Sequence, residues 1–94
     1  MQAQPLELVV DEVPTAQAES LGLRSAVPGF RAFLVWTPDR SRPADVGYIW
    51  EIANGWVGRY DASGRPRMLP YAYPSVEDAV RALDAEDRAH LTSC

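Results

Sequence analysis

Apolar positions follow several different rhythms along this chain, and each rhythm predicts a different element. In "LELVV" (residues 6 to 10), Leu6, Leu8 and Val10 alternate with Glu7 and Val9, the period-two signature of a half-buried strand. "FRAFLVW" (30 to 36), behind the turn signal "VPG", is a nearly continuous aromatic and branched run and predicts a mostly buried strand. Between the two, "PTAQAESLG" offers Thr15 as N-cap, helix formers from Ala16 to Leu21 and Gly22 as a stop, a helix of barely two turns. After Ser75 the period lengthens again. Val76, Ala79, Val80 and Leu83 recur at helical spacing, with Ser75 as N-cap and Asp78 three residues on, so a C-terminal helix is predicted over 76 to 89. Glu77 with Arg81 and Asp84 with Arg88 are four apart with the acid first, the favourable order for matching charges along a helix.

The stretch "EIANGWVGRY" (51 to 60) places a turn inside an aromatic hairpin spanning 48 to 60. A two-residue turn at Asn54-Gly55 would set Trp50 opposite Arg59 and mix polar and apolar side chains on both faces. A three-residue loop of Ala53, Asn54 and Gly55, with the glycine left-handed in a bulge, pairs Ile52 with Trp56, Trp50 with Gly58 and Tyr48 with Tyr60. That register collects Tyr48, Trp50, Ile52, Trp56 and Tyr60 on one face, and segregation favours it because a one-residue slip swaps the faces. "DASG" (61 to 64) is a second turn, and "RPRMLPYAY" returns as an edge strand near 67 to 72, where prolines are tolerated. "TPDRSRPADVG" (37 to 47) has no periodicity and reads as a long polar loop.

The fold class that follows is α+β. A small antiparallel sheet, built from the hairpin 48 to 60, a strand near 67 to 72 and strands near 6 to 10 and 30 to 36, packs against the helix 76 to 89 in one domain, 1 to 94. The helix offers only small side chains, Ala79, Val80, Ala82 and Leu83, while the predicted hairpin face is all large rings. Facing volumes must sum to the available space, so Tyr48, Trp50, Trp56 and Tyr60 are expected in the core. The competing reading makes them a surface for a ligand.

Composition narrows the chemistry. A chain of 94 residues buries only slightly more than about 60% of its unfolded surface, which adds weight to a core role for the large rings. No apolar run approaches the roughly 18 residues of a membrane span. The N-terminus has neither a basic region nor a cleavable apolar stretch, so a cytoplasmic location without membrane association is expected. The single cysteine, Cys94, leaves no internal disulfide to form. There is no lysine among the 9 basic residues, which removes Schiff-base, pyridoxal and P-loop chemistry. His90 alone with one cysteine cannot make a zinc site, and near a helix C-terminus it reads as a dipole partner. Adjacent carboxylates on the helix, Glu77-Asp78 and Glu86-Asp87, diverge by about 100 degrees and do not converge on one substrate. No catalytic residue, metal or cofactor is expected.

Two features remain. Arg59, Arg65 and Arg67 flank the second turn and Arg40 and Arg42 lie in the polar loop; if loop and turn meet, they could grip phosphate or carboxylate groups. Net charge is -4, with acidic ends around a mildly basic middle, a distribution suited to a basic partner. The block from Tyr48 to Leu83, strands followed by the helix start "YPSVEDAVRAL", resembles in outline the arm-type DNA-binding domains of tyrosine recombinases and the small YegP-like domains. That resemblance implies an order of elements and carries no functional residue over. The function expected is a non-enzymatic accessory domain that binds a partner protein, of the bacterial or phage inhibitor, immunity or regulatory type. The alternatives are a nucleic-acid-binding accessory using the arginine cluster and a homodimer formed through a strand edge such as "LELVV".

Overall fold

The fold is taken from a computed structural model, which describes residues 8–37, 44–62 and 64–92. Five strands, β1 (Val9–Val13), β2 (Ala32–Thr37), β3 (Ala44–Ile52), β4 (Gly55–Tyr60) and β5 (Arg67–Met68), form one antiparallel sheet in sequence order. Helix α1 (Thr15–Ser20) lies between β1 and β2, and α2 (Val76–Thr92) follows β5. The expected α+β class is what the chain forms.

The meander is covered on both faces, and this decides where the rings go. Val35, Val46, Ile49, Tyr60 and Leu69 are buried against Ala79, Val80 and Leu83 of α2. On the opposite face Val13, Ala32 and Trp50 are buried with Ala18, Leu23 and Phe30 from α1 and the segment after it. A sheet apolar on both sides needs no segregation of large rings onto one of them. The hairpin register is accordingly one residue away from the segregating one: Ile52 stands opposite Gly55, Trp50 opposite Val57, Tyr48 opposite Arg59 and Gly47 opposite Tyr60. Slipping by one residue turns β4 over relative to β3. Tyr48 and Trp50 therefore face α1, while Trp56 and Tyr60 face α2, and the expected single aromatic face is two. The core assignment holds for Trp50 and Tyr60, which are buried; Tyr48 and Trp56 are half-buried.

The turn itself is Ala53-Asn54, and the glycine serves another purpose. Gly55 has φ +146°, and a Cβ there would lie 2.6 Å from the Tyr73 carbonyl oxygen. Its place is dictated by residues 71 to 73 passing alongside. Leu69 occupies the space over Gly58 where an indole was expected. Gly47 is the tightest point, where a Cβ would stand 2.1 Å from the Arg59 carbonyl oxygen.

Several boundaries also move. β1 extends past the expected end at Val10 to Val13 because Asp11 and Glu12 are held by their own sheet: Trp36 Nε1 donates to Asp11 at 2.7 Å and Arg31 Nε to Glu12 at 3.4 Å. Residues 1–7, including the start of "LELVV", lie outside the described residues. Thr15 is the first helical residue, with Pro14 before it, and its hydroxyl donates to the Phe30 carbonyl at 3.0 Å. Gly22, at φ +87°, ends α1 as expected. β3 begins at Ala44, so it takes up part of the expected 37 to 47 loop; residues 38–43 lie outside the described residues. The edge strand shrinks to Arg67–Met68 because Pro70 has no amide hydrogen to donate. Pairing resumes only at a single bridge, Trp56 with Tyr73. Ser75 Oγ accepts the Asp78 amide at 3.1 Å, the predicted cap, and α2 runs on past 89 to Thr92.

Candidate interaction surface

The expected arginine cluster is not assembled among the described residues. Arg40 and Arg42 lie outside them. Arg59 and Arg67 sit on opposite faces of the sheet, since Arg67 is opposite Tyr60 and Arg59 is its neighbour in β4. Arg59 has a structural environment: Nε and Nη2 donate to the two oxygens of Asp61 at 2.9 and 3.0 Å, and Nη1 donates to the Leu21 carbonyl at 3.2 Å. Its guanidinium also lies 5.5 Å from the centre of the Tyr48 ring. It clamps the end of α1 to the sheet. Arg67 forms an ion pair with Glu86 and stands over the Tyr60 ring at 5.8 Å. Arg65 is exposed in the turn.

The Tyr48 phenol is held above its ordinary value near 10, first by burial and then by the carboxylates of Asp45 and Asp61, with Arg59 opposing. On the α2 face Asp87 is buried and accepts the Tyr60 hydroxyl at 2.8 Å. The His90 ring meets Tyr60 edge-on at 6.0 Å. These contacts join the last turns of α2 to the C-terminal end of β4, so His90 acts in packing as well as at the helix end. Cys94 lies outside the described residues, and no group of three metal-ligating side chains gathers among the described ones.

What the sequence did not suggest is a strip of rings at the end of the α2 face nearest the hairpin turn. Trp56 and Tyr73 stand directly opposite each other, each amide donating to the other's carbonyl at 2.8 and 2.7 Å, so their side chains share that face. Phe33 lies 5.8 Å from Trp56 on one side, and Tyr71 meets Tyr73 edge-on at 6.5 Å on the other. The result is an aromatic row from Phe33 through Trp56 and Tyr73 to Tyr71. Its inner rings are half-buried; Tyr71 is 68% exposed. Burial raises the Tyr73 phenol above its ordinary value, with Tyr71 and Glu86 adding to the effect.

The polar rim of the row is acidic on balance. Arg31 stacks 5.2 Å from the centre of Phe33 and reaches Glu12. Its amide donates to the Glu51 carboxylate at 3.3 Å. Glu51 is placed there by its position opposite Trp56. Beyond Arg31 a shallow groove of about 350 Å³ opens between residues 12–15 and 29–31, continuing the row through Glu12 and Arg31. One signal could have found the row: "YAY" (71 to 73) after Pro70 has two large rings at period two.

Comparison with protein families, with curated proteins and with solved structures gave no match. The resemblance of residues 48 to 83 to recombinase arm domains and to YegP-like domains finds no support in these comparisons. Among the described residues no helix is long and apolar enough to cross a membrane.

Proposed function

We propose that this is a non-enzymatic interaction domain acting in the cytoplasm, and that it binds an extended segment of a partner protein across the row Phe33, Trp56, Tyr73 and Tyr71. The observation that carries the reading is Tyr71, a large ring left 68% exposed beside Tyr73, whose backbone bridge to Trp56 sets two ring pairs side by side on one face. Rings with a polar handle supply contact area at low entropy cost, and aromatic residues dominate binding hot spots. The rim selects the partner's chemistry. Glu12 and Glu51 outnumber Arg31, which is already engaged by Glu12, so the favoured segment carries apolar or proline residues over the rings and a lysine or arginine beside the carboxylates.

The test is selection of random peptides on the immobilised protein, followed by measurement of the enriched sequences against Tyr71→Ala. Basic, proline- or aliphatic-containing peptides are expected, with affinity at least about 10-fold weaker for the variant, as truncating a hot-spot aromatic does. The reading fails if enriched peptides bind both proteins equally. It also fails if single-stranded nucleic acid binds the same rings with a steep salt dependence, the mark of phosphate recognition.

A further inference from the structure

The two edges of the sheet are treated very differently. β5 is two residues long and bounded by Pro66 and Pro70, the usual blunting of an exposed edge. β1 is five residues long and contains no proline or lysine. Its acids do not guard it either, because Asp11 is turned to Trp36 and Glu12 to Arg31. Among the described residues no strand lies on its outer side.

The phase of the ladder says which groups that edge offers. Glu51 donates its amide to the Arg31 carbonyl at 2.9 Å, so Arg31, Phe33 and Val35 bond toward β3. By alternation Ala32 and Leu34 bond toward β1. Their partners Val13 and Asp11 then point inward, and the amides and carbonyls of Val10 and Glu12 point outward. Beside Val10, which is 37% exposed, an apolar groove of about 320 Å³ runs between β1 and α2. It is lined by Val10, Val76 and Val80 and rimmed by Glu77 and Arg81. Asp84 and Arg88 pair along the helix at 2.8 Å. Glu77 and Arg81, expected to do the same, form no ion pair among the described residues.

We propose that two copies of this chain pair β1 against β1, antiparallel about a two-fold axis at Val10, extending the sheet into a ten-stranded one. Register follows from charge. Centring the axis on Asp11 or Glu12 would set like carboxylates directly opposite, which is destabilising. Centring it on Val10 sets valine against valine, Val9 against Asp11 and Leu8 against Glu12. The same axis brings the two grooves together over the Val10 pair and runs the α2 helices antiparallel. Glu77 of each copy then meets Arg81 of the other, which is the self-complementarity that a two-fold interface requires. An opposite-charge pair four residues apart, left unpaired on its own helix beside an apolar groove and an open strand edge, matches a second copy of itself.

Sedimentation equilibrium of the full chain from micromolar to sub-millimolar concentration tests the proposal. The expected mass is twice the 10.4 kDa of the chain. Arg81→Glu, an exposed helix substitution that leaves the fold intact, is expected to weaken the dimer at least about 10-fold by facing acid with acid. Adding Glu77→Arg to that variant restores complementarity and is expected to restore the dimer. Val10→Asp gives a second, independent loss. A monomer throughout the concentration range overturns the proposal, and so does a dimer that neither Arg81→Glu nor Val10→Asp weakens. The peptide test reads Tyr71, which follows β5 at the opposite edge of the sheet from β1, so failure of the dimer and failure of the peptide site are distinguishable.

Discussion

The two hairpin tryptophans differ in what they hold together, and replacing each by phenylalanine measures the difference. Trp50 is 4% exposed, and its indole Nε1 donates to the Arg24 carbonyl at 2.9 Å. Trp50→Phe removes that bond, at about 1 kcal/mol. It also leaves a void of roughly 40 Å³ that costs about 1 kcal/mol more at ~24 cal/mol per Å³. The sum, about 2 kcal/mol, lowers the melting temperature of a domain this size by roughly 8 to 16 °C. Trp56 is half-buried, and its main ring contact is with Phe33, which a phenylalanine retains in part. Trp56→Phe is expected to stay within about 0.5 to 1 kcal/mol, a few degrees. Far-ultraviolet circular dichroism during thermal and urea unfolding reads both without relying on the altered fluorophore. Equal losses, or a larger loss at Trp56, would refute the assignment of the two indoles to opposite faces and with it the hairpin register. Acrylamide quenching gives an independent reading, with Trp56→Phe removing more of the accessible emission than Trp50→Phe.

Further outcomes follow from individual contacts. Gly47→Ala forces a methyl to 2.1 Å from the Arg59 carbonyl and is expected to unfold the domain or cost about 3 kcal/mol or more, read by urea denaturation. Asp61→Ala leaves the Arg59 guanidinium, whose side chain is 19% exposed, with the Leu21 carbonyl and the Tyr48 ring alone. A loss of about 2 kcal/mol is expected, with accelerated amide exchange in α1; an unchanged midpoint would show that the clamp is idle. Tyr48 and Tyr73 are both raised, so the folded protein holds these phenolic protons more tightly than the unfolded chain does. Their contribution is full below the unfolded value near 10 and is lost as pH rises through the folded values. Stability is expected to fall above about pH 10, less steeply in Tyr48→Phe with Tyr73→Phe. An alkaline absorbance titration in which neither substitution removes a late-ionising phenol would contradict this.

The placement of the elements was legible in local chemistry. Ser75 caps α2, Gly22 ends α1, and the run from Ala32 to Trp36 is a covered strand, each because the deciding interactions lie within a few residues. The candidate surface was far less legible. The arginines looked like a cluster because they are near in sequence, but alternation along β4 and β5 sends Arg59 and Arg67 to opposite faces. The row from Phe33 to Tyr71 combines β2, β4 and a segment after β5, and no short window of the sequence holds them together.

The sequence by itself determined that the chain makes a small α+β domain of hairpins and two helices, since period, caps and turn residues act locally. It also determined that chemistry requiring lysine is absent. Only the tertiary structure decided which rings are core. That choice depends on a one-residue register, and the register depends on whether the sheet is covered on one face or two. Because α1 and the segment after it supply the second cover, Trp50 is buried and Trp56 stands in the open row, although the two indoles sit only six residues apart in the same hairpin.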